Sequence, residues 1–310
     1  MSHSRERWAG FFLLLPSIIL IAIFVYGFIA WTSRVALSAW DGVMPNYQWV
    51  GLENFRRLFD QSIGGVAAQR FSIGLWNTLF FTIFFLLLCV GIGLLLAILL
   101  DQKIKGEGVF RTIYLFPMAL SFVVTGVLWQ WIFAPGTATR PRGVNALLET
   151  FGLHALQWKW YTSTDSIGPF HLALIPVIIA ASWQMIGYTM AMYLAGLRGV
   201  PEELREAARV DGATEAQIYR RIIMPMLQPI TLSALIVLGH ISLKIFDLVY
   251  TMTGKGPGFV TDVPGIFMFE TTFQGNHFAQ GAAISIVMLL MVAVIIIPYL
   301  VVTFRREVEL

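Results

Sequence analysis

The sequence predicts an all-α integral membrane protein with six transmembrane helices, and three observations predict it. Of its 310 residues 57% are hydrophobic and 13% charged, giving a mean hydropathy of +0.73 that no ordinary soluble globular domain shows. The apolar residues gather into six runs, each of about twenty residues or more and so long enough to cross roughly 30 Å of hydrocarbon. The basic residues are distributed unevenly between alternate connections. With the N-terminus inside, the inner segments hold twelve (Arg5, Arg7, Lys103, Lys105, Arg111, Arg198, Arg205, Arg209, Arg220, Arg221, Arg305 and Arg306), against eight in the longer outer loops. The positive-inside rule then places both termini in the cytoplasm of a multi-pass protein of the cell (inner) membrane, with lipid as its solvent.

Residues 1–310 read as one transmembrane domain. The first span, about 11–31, follows Arg5 and Arg7 and leads through Pro16 to an aromatic edge at Tyr26 and Trp31, so it reads as an uncleaved span rather than a signal peptide. Residues 32–71 turn polar and contain GLENFRRLF (51–59), which suits a short interfacial helix. The second span is about 75–100, where Gly91 and Gly93 allow close helix approach. The third is about 112–133, with Pro117 near its start and Ser121 and Thr125 one helical turn apart. Residues 134–170 form a second long outer loop with an interfacial set in Trp158, Trp160 and Tyr161. The fourth span is about 172–197, the fifth about 230–251 and the sixth about 282–304, ending in Arg305 and Arg306.

Between the fourth and fifth spans lies PEELREAARVDGATEAQIYRRIIMP (201–225), a long charged segment pinned between apolar runs. Its chemistry predicts two short helices and a hinge. Pro201 suits a first helical turn, Glu202 and Glu203 complement the positive end of the helix, and Glu202/Arg205 and Glu206/Arg209 are spaced i,i+3 for pairing. Gly212 supplies a residue free to take positive φ and end the helix. Thr214 and Gln217 form a capping box for the second helix, and Pro225 marks where the next segment begins. Leu204, Ala207 and Ala208 on the first helix and Ile218 and Ile222 on the second give each an apolar stripe.

Enzymatic chemistry finds little to stand on. The Gly254-Lys255 pair lacks the upstream glycine of a phosphate-binding loop, and there is no HExxH, no GxSxG and no cluster at metal spacing, so no catalytic residue, metal or cofactor is expected. His154 and His171 lack ligand-spaced partners. Cys89 is the single cysteine and sits inside an apolar run. The net charge is +3 with dispersed Lys and Arg, which does not argue for nucleic acid.

Glu206-Ala207-Ala208, three residues, Gly212, nine residues, Ile222, one residue and Met224-Pro225 resembles the EAA loop of permease subunits in binding-protein-dependent ABC importers, with Met224 where that family usually has Leu. VGLENF followed by Asn77-Thr78, and Gly143-Val144-Asn145 with Leu147-Leu148, are similar to the same family, and its carbohydrate-uptake branch in particular. The resemblance implies the type I importer permease fold and a non-catalytic subunit that moves a sugar by alternating access. It implies four kinds of partner: a second homologous permease, two cytoplasmic ATPase subunits, an extracytoplasmic sugar-binding protein and the sugar itself. ATPase coupling falls to Glu206, Ala207, Ala208, Asp211, Gly212, Ile222, Met224 and Pro225.

Similarity to the maltose-type permeases carries substrate contact onto Met118, Ser121 or Phe122 in the third span, Gln184 and Met185 in the fourth, and Ser242 and Ile245 in the fifth. Independently, His240, Lys244, Asp247 and Thr251 are spaced i, i+4, i+7 and i+11 and share one helical face. Lys244 and Asp247 either neutralise each other as an internal pair or line a polar path. An ion- or proton-coupled secondary transporter using that pair is the alternative; it would carry paired inverted repeats with broken helices, of which the sequence gives no sign.

Overall fold

The computed structural model describes the backbone of residues 2–308 except 103 and 138, and side-chain surroundings for 11–298 with the same exceptions. The side chains of Arg5, Arg7, Lys103, Arg305 and Arg306, used above to orient the chain, lie outside the described residues. The chain is mostly helical. Four of its helices are long and apolar enough to cross a membrane, or six spans if each of two bent helix pairs counts as one. By contact it divides into two compact units, residues 1–69 with 267–290, and residues 70–266 with 291–310.

In the first unit the opening span is longer than 11–31: helix Ser2–Ile21 passes through a π-helical turn at Ala22–Gly27 into Phe28–Ala36. None of its most apolar stretch is buried. The expected short helix is present as Glu53–Phe59, and Asn54 in its first turn donates to the carbonyls of Ala36 (2.9 Å) and Ser38 (2.8 Å). Gly42 N–H donates to the Asn276 carbonyl (2.9 Å) and Ala279 N–H to that of Trp40 (3.0 Å). The Trp40 and Phe278 rings lie 4.9 Å apart and His277 meets Asp41.

In the second unit three differences from the sequence reading stand out. Helix Val66–Asp101 begins well before residue 75. Arg70, which suggested loop, is buried against Asp262 and lies over the Phe259 ring, so its charge is neutralised within the protein. Beside it Asn77 Nδ2 donates to the Asp262 carbonyl (2.9 Å), leaving Asn77 Oδ1 to accept from His171 Nδ1 (2.9 Å). That role fixes the His171 tautomer, and burial holds its pKa below the usual value.

The second difference is the third span, which is two helices. Glu107–Leu115 continues as a 3-10 turn over Phe116–Ala119, and Phe122–Ile132 follows at 101°. Pro117 and the extended backbone of Leu120 and Ser121 make the break, and Ser121 Oγ caps the new helix at Val124 N–H (3.2 Å). The third is the fifth span. Glu215–Met226 and Gln228–Leu243 meet at 62°, two residues beyond Pro225, and the helix stops again at Lys244 before Asp247–Met252. Broken helices, absent from the sequence reading, are therefore a feature of this chain.

The fourth span, Ile175–Arg198, is the buried axis of this unit. Val177, Ala180 and Ala181 pack with Phe81, Phe85 and Cys89 of the second span and with Leu248, Val249 and Met252. Lower down, Met190, Tyr193, Leu194 and Leu197 pack with Ala97, Leu100, Ile218, Ile223 and Leu227. Gly93 lies against Thr189 as a close approach, whereas Gly91 has open space. At Gly187 a Cβ would collide with the Tyr114 carbonyl. Because that neighbour is backbone, Gly187→Val forces helix Glu107–Leu115 away from the axis; a loss of about 1–3 kcal/mol is expected for such overpacking, read as a lowered unfolding temperature of the detergent-solubilised protein.

Candidate functional site

The 201–225 segment folds as its residues dictate. Helix Glu202–Val210 ends at Asp211, and Gly212 takes φ +79°. Ala213 N–H then donates back to the Ala208 carbonyl (2.9 Å). The capping box forms: Thr214 N–H donates to Gln217 Oε1 (2.8 Å) and Gln217 N–H to Thr214 Oγ1 (3.4 Å). A π-helical turn at Tyr219–Ile223 inserts one extra residue. The inward set is thus Ile218, Ile223 and Leu227, and the expected Ile222 is only half-buried.

The charges pair differently from the i,i+3 expectation. Arg205 Nη1 binds Asp101 at 2.9 Å and its Nη2 donates to the Leu197 carbonyl at 3.0 Å. The two partners are the last residue of helix Val66–Asp101 and a residue in the last turn of helix Ile175–Arg198. Helix C-termini are the negative ends of the backbone dipole, and both side chains of the pair are about nine-tenths buried. A solvated i,i+3 contact with Glu202 offers less. Arg209 reaches Glu202 (3.5 Å) and Glu215 (2.8 Å) across the hinge, and its guanidinium holds the Glu215 carboxyl below the usual range. Glu107 bridges Arg111 (3.0 Å) and Arg198 (2.6 Å). Asp101 and Glu107 were not singled out in the sequence, and Arg198 only as one of the inner basic residues; the signal available for Asp101 was a lone carboxylate closing an apolar run.

What faces outward is the complementary surface. Glu206, Ala207, Asp211 and Gly212 are exposed together with Leu204 and Val210, the last at 88%. Among the described residues Glu206 has no ion pair. Ala208 turns inward against the Ile218 cluster. Met224 and Pro225 are exposed at the bend, on the wall of a cleft of about 540 Å³ with Arg220 and Leu232. A larger cavity of about 870 Å³, lined by Asp101, Arg198, Glu202, Arg205 and Tyr219, lies beneath the first helix.

The substrate-path candidates divide into two groups. Gln184 and Met185 are buried at 3% and 7%, as are Ser242 and Ile245. Gln184 Nε2 donates to the Leu120 carbonyl at the break in the third span (2.7 Å), and Ser242 Oγ accepts from Thr82 (3.0 Å) while donating to the Gly239 carbonyl (2.8 Å). Met118, Ser121, Lys244 and Asp247 are exposed, and Phe122 is half-buried. The common face predicted for His240, Lys244, Asp247 and Thr251 assumed one unbroken helix; the interruption at residues 244–246 puts Asp247 at the start of a separate helix. Among the described residues Lys244 and Asp247 form no ion pair, with each other or with anything else, so the internal-pair alternative is not the arrangement observed. The half-helices 122–132 and 247–252 pack through Gly126, where a Cβ would strike Thr251 and crowd the Leu248 carbonyl.

Such an arrangement offers hydrogen bonds, an exposed face on helix Glu202–Val210 and a firm link to two spans, and among the described residues no group of His, Cys, Asp or Glu is placed to hold a metal ion. A family model described as the binding-protein-dependent transport system inner membrane component matches residues 89–307. A probable ABC transporter permease protein of Pyrococcus horikoshii is 41% identical over 294 residues, covering 95% of each chain. A xylose/arabinose import permease protein of Haloferax volcanii is 35% identical over 93% of this chain and 86% of its own. A trehalose/maltose transport system permease protein of Thermococcus litoralis is 29% identical over 98% and 96%. Among solved structures, a bacterial ABC transporter involved in the import of the acidic polysaccharide alginate superposes with a TM-score of 0.75, at 23% identity over 94% of each chain, which agrees with the type I permease fold. On the extent of the family match and the identity to these relatives, the chain belongs to the inner membrane components of binding-protein-dependent transport systems, the permease subunits of ABC importers.

Proposed function

We propose that the chain is one of two permease subunits of an ATP-driven sugar importer, and that the 201–225 segment is its cytoplasmic coupling element. The observation that carries the coupling role is the two-sided build of helix Glu202–Val210: Arg205 ties one side to the ends of two spans, while Leu204, Glu206, Ala207 and Val210 leave the other side exposed. An ATPase subunit docked on the exposed side would push on the second and fourth spans through Arg205. A sugar cargo is supported by relatives whose names give xylose/arabinose, trehalose/maltose and multiple sugars.

The remaining parts of the reading follow the same logic. A homologous sister permease covers the exposed face that carries Lys244 and Asp247, two ATPase subunits sit at the cytoplasmic side with both termini, and an extracytoplasmic sugar-binding protein delivers cargo to the outer loops. Met118, Ser121, Lys244 and Asp247 then contact the solute, while Gln184, Met185, Ser242 and Ile245 shape the wall behind them. The secondary-transporter alternative is not favoured, since the family couples transport to ATP in a partner.

Two outcomes are expected. Gly212→Val places a β-branched residue at φ +79°, a conformation that costs about 1–2 kcal/mol even for an unbranched side chain; in vesicles with the partner ATPase, sugar uptake should fall at least tenfold while basal ATP hydrolysis persists. Wild-type uptake and wild-type sugar-stimulated hydrolysis in that variant would count against the coupling role, and uphill uptake by the purified chain alone would end the whole reading. Arg205→Met leaves Asp101 buried without its cation, at a cost of roughly 3 kcal/mol; thermal unfolding of Arg205→Met, Asp101→Asn and the double variant should show that the second substitution adds little to the first.

A further inference from the structure

We propose that the lobe formed by residues 133–171 holds a sugar site of its own, separate from the path through the spans. It rests on the sugar reading above. The site is a cavity of about 460 Å³ lined by Thr137, Gln157, Trp158, Lys159, Thr164 and Asp165, large enough for a mono- or disaccharide.

The lobe is organised by one buried side chain. Asn145, 6% exposed, donates through Nδ2 to the carbonyls of Pro135 (3.3 Å) and Trp158 (2.8 Å). Its Oδ1 accepts from Trp158 N–H (3.3 Å) and Trp160 Nε1 (2.8 Å). All of its capacity is spent holding Pro135 and the irregular segment that carries Trp158 and Trp160. Asp165 is fixed just as firmly: its Oδ2 accepts from Trp158 Nε1 (3.0 Å) and from the Oγ of buried Ser163 (2.6 Å). Ser163 first, then Trp158, holds the carboxyl below the usual range. It is therefore ionised at neutral pH, and among the described residues its Oδ1 has no hydrogen-bond partner.

Around this carboxylate stand the Lys159 ammonium, which has no ion pair among the described residues, the Thr164 hydroxyl and the Gln157 amide, beside the indole. Donors and acceptors of both kinds next to an aromatic ring match a polyol, whose hydroxyls both give and accept hydrogen bonds and whose ring C–H face is apolar. Lys159 and Asp165 balance in charge, which favours a neutral sugar over an anion. The exposed aliphatic and phenyl side chains of the lobe, Leu147, Phe151, Leu153, Leu156 and Ile167, lie outside the cavity lining, whose apolar surface comes from Trp158, Pro135 and Pro141.

The test uses the full chain reconstituted with its ATPase partners and without a binding protein, titrated with xylose, maltose and trehalose and followed by tryptophan fluorescence and saturation-transfer NMR. Saturable binding of at least one probe is expected in the millimolar range. Asp165→Ala should weaken it at least tenfold, and Lys159→Ala, which removes no hydrogen bond of the fold, at least threefold. No saturable binding of any probe, or binding that both variants leave unchanged, overturns the site. ATP-driven uptake of the three sugars in the same vesicles, with binding protein added, separates the two failures: uptake without lobe binding sinks this inference alone, whereas no uptake of any sugar sinks the sugar reading on which it rests.

Discussion

A single guanidinium ties three helices of this chain together. Arg205 joins the amphipathic helix Glu202–Val210 to Asp101 and to the Leu197 carbonyl, the ends of two different spans. Neither partner could be released cheaply: the Asp101 side chain is 9% exposed, and a buried carboxylate without its cation is strongly unfavourable. The helix cannot slide on the ends of the spans without breaking that contact, so a displacement applied to its outer face is passed on. The hinge behind it is equally determinate. Gly212 turns the chain, the Thr214–Gln217 box starts the next helix at once, and Arg209 spans the turn to Glu215. Short, capped and cross-linked, the segment has the build that the proposed coupling role requires of a lever.

The same economy governs the interruptions within the spans. Breaking a helix at membrane depth frees carbonyls that lipid cannot satisfy, so a break survives only where protein groups or water take over. Here Gln184 reaches across from the fourth span to the Leu120 carbonyl, and Ser121 caps the helix that follows. The break in the third span is thereby attached to the buried axis at one point. Gly126 lets helix Phe122–Ile132 approach the Leu248 carbonyl, so the half-helices of the third and fifth spans are held against each other. For the proposed solute path such broken helices would have this advantage: exposed backbone polar groups and capping hydroxyls would be available to a hydroxylated cargo without a further charge being placed in lipid.

Much of this was legible in the sequence where the controlling interaction is local. The apolar runs, the short helix beginning near Glu53, the Gly212 turn and the Thr214 cap all depend on residues within a few positions of one another; the structure has the helix, the turn and the cap, and builds the apolar runs as four long helices and two bent pairs. What was not legible depends on partners far away or on backbone direction. Arg70 looked like the end of a loop because Asp262 lies 192 residues on. Arg205 was paired with Glu202 because Asp101 is 104 residues earlier. Hydropathy registers that 112–133 is apolar but not that its axis turns through 101° at Leu120. The π turn at Tyr219–Ile223 shifted the buried set by one residue, which no count of apolar spacing could anticipate.

Exposure within one chain completes the reading of the path. Lys244 and Asp247 stand in an apolar span, are exposed, and form no ion pair among the described residues. Ionisable groups at membrane depth face a bundle interior or an aqueous cavity, because the hydrocarbon alternative costs several kcal/mol or more per group. Among the described residues nothing covers them, which fits the sister permease proposed for this face. Gln184 and Ser242, by contrast, are buried: Ser242 has its hydrogen bonds met within the fold, and Gln184 spends its Nε2 on the Leu120 carbonyl while its buried Oε1 has no partner among the described residues, so neither can turn toward a solute without giving up the bonds it makes. On the proposed path, specificity for cargo would reside in the exposed group and in what a sister subunit brings opposite it, while the buried group would fix the angle at which the broken helices present that surface.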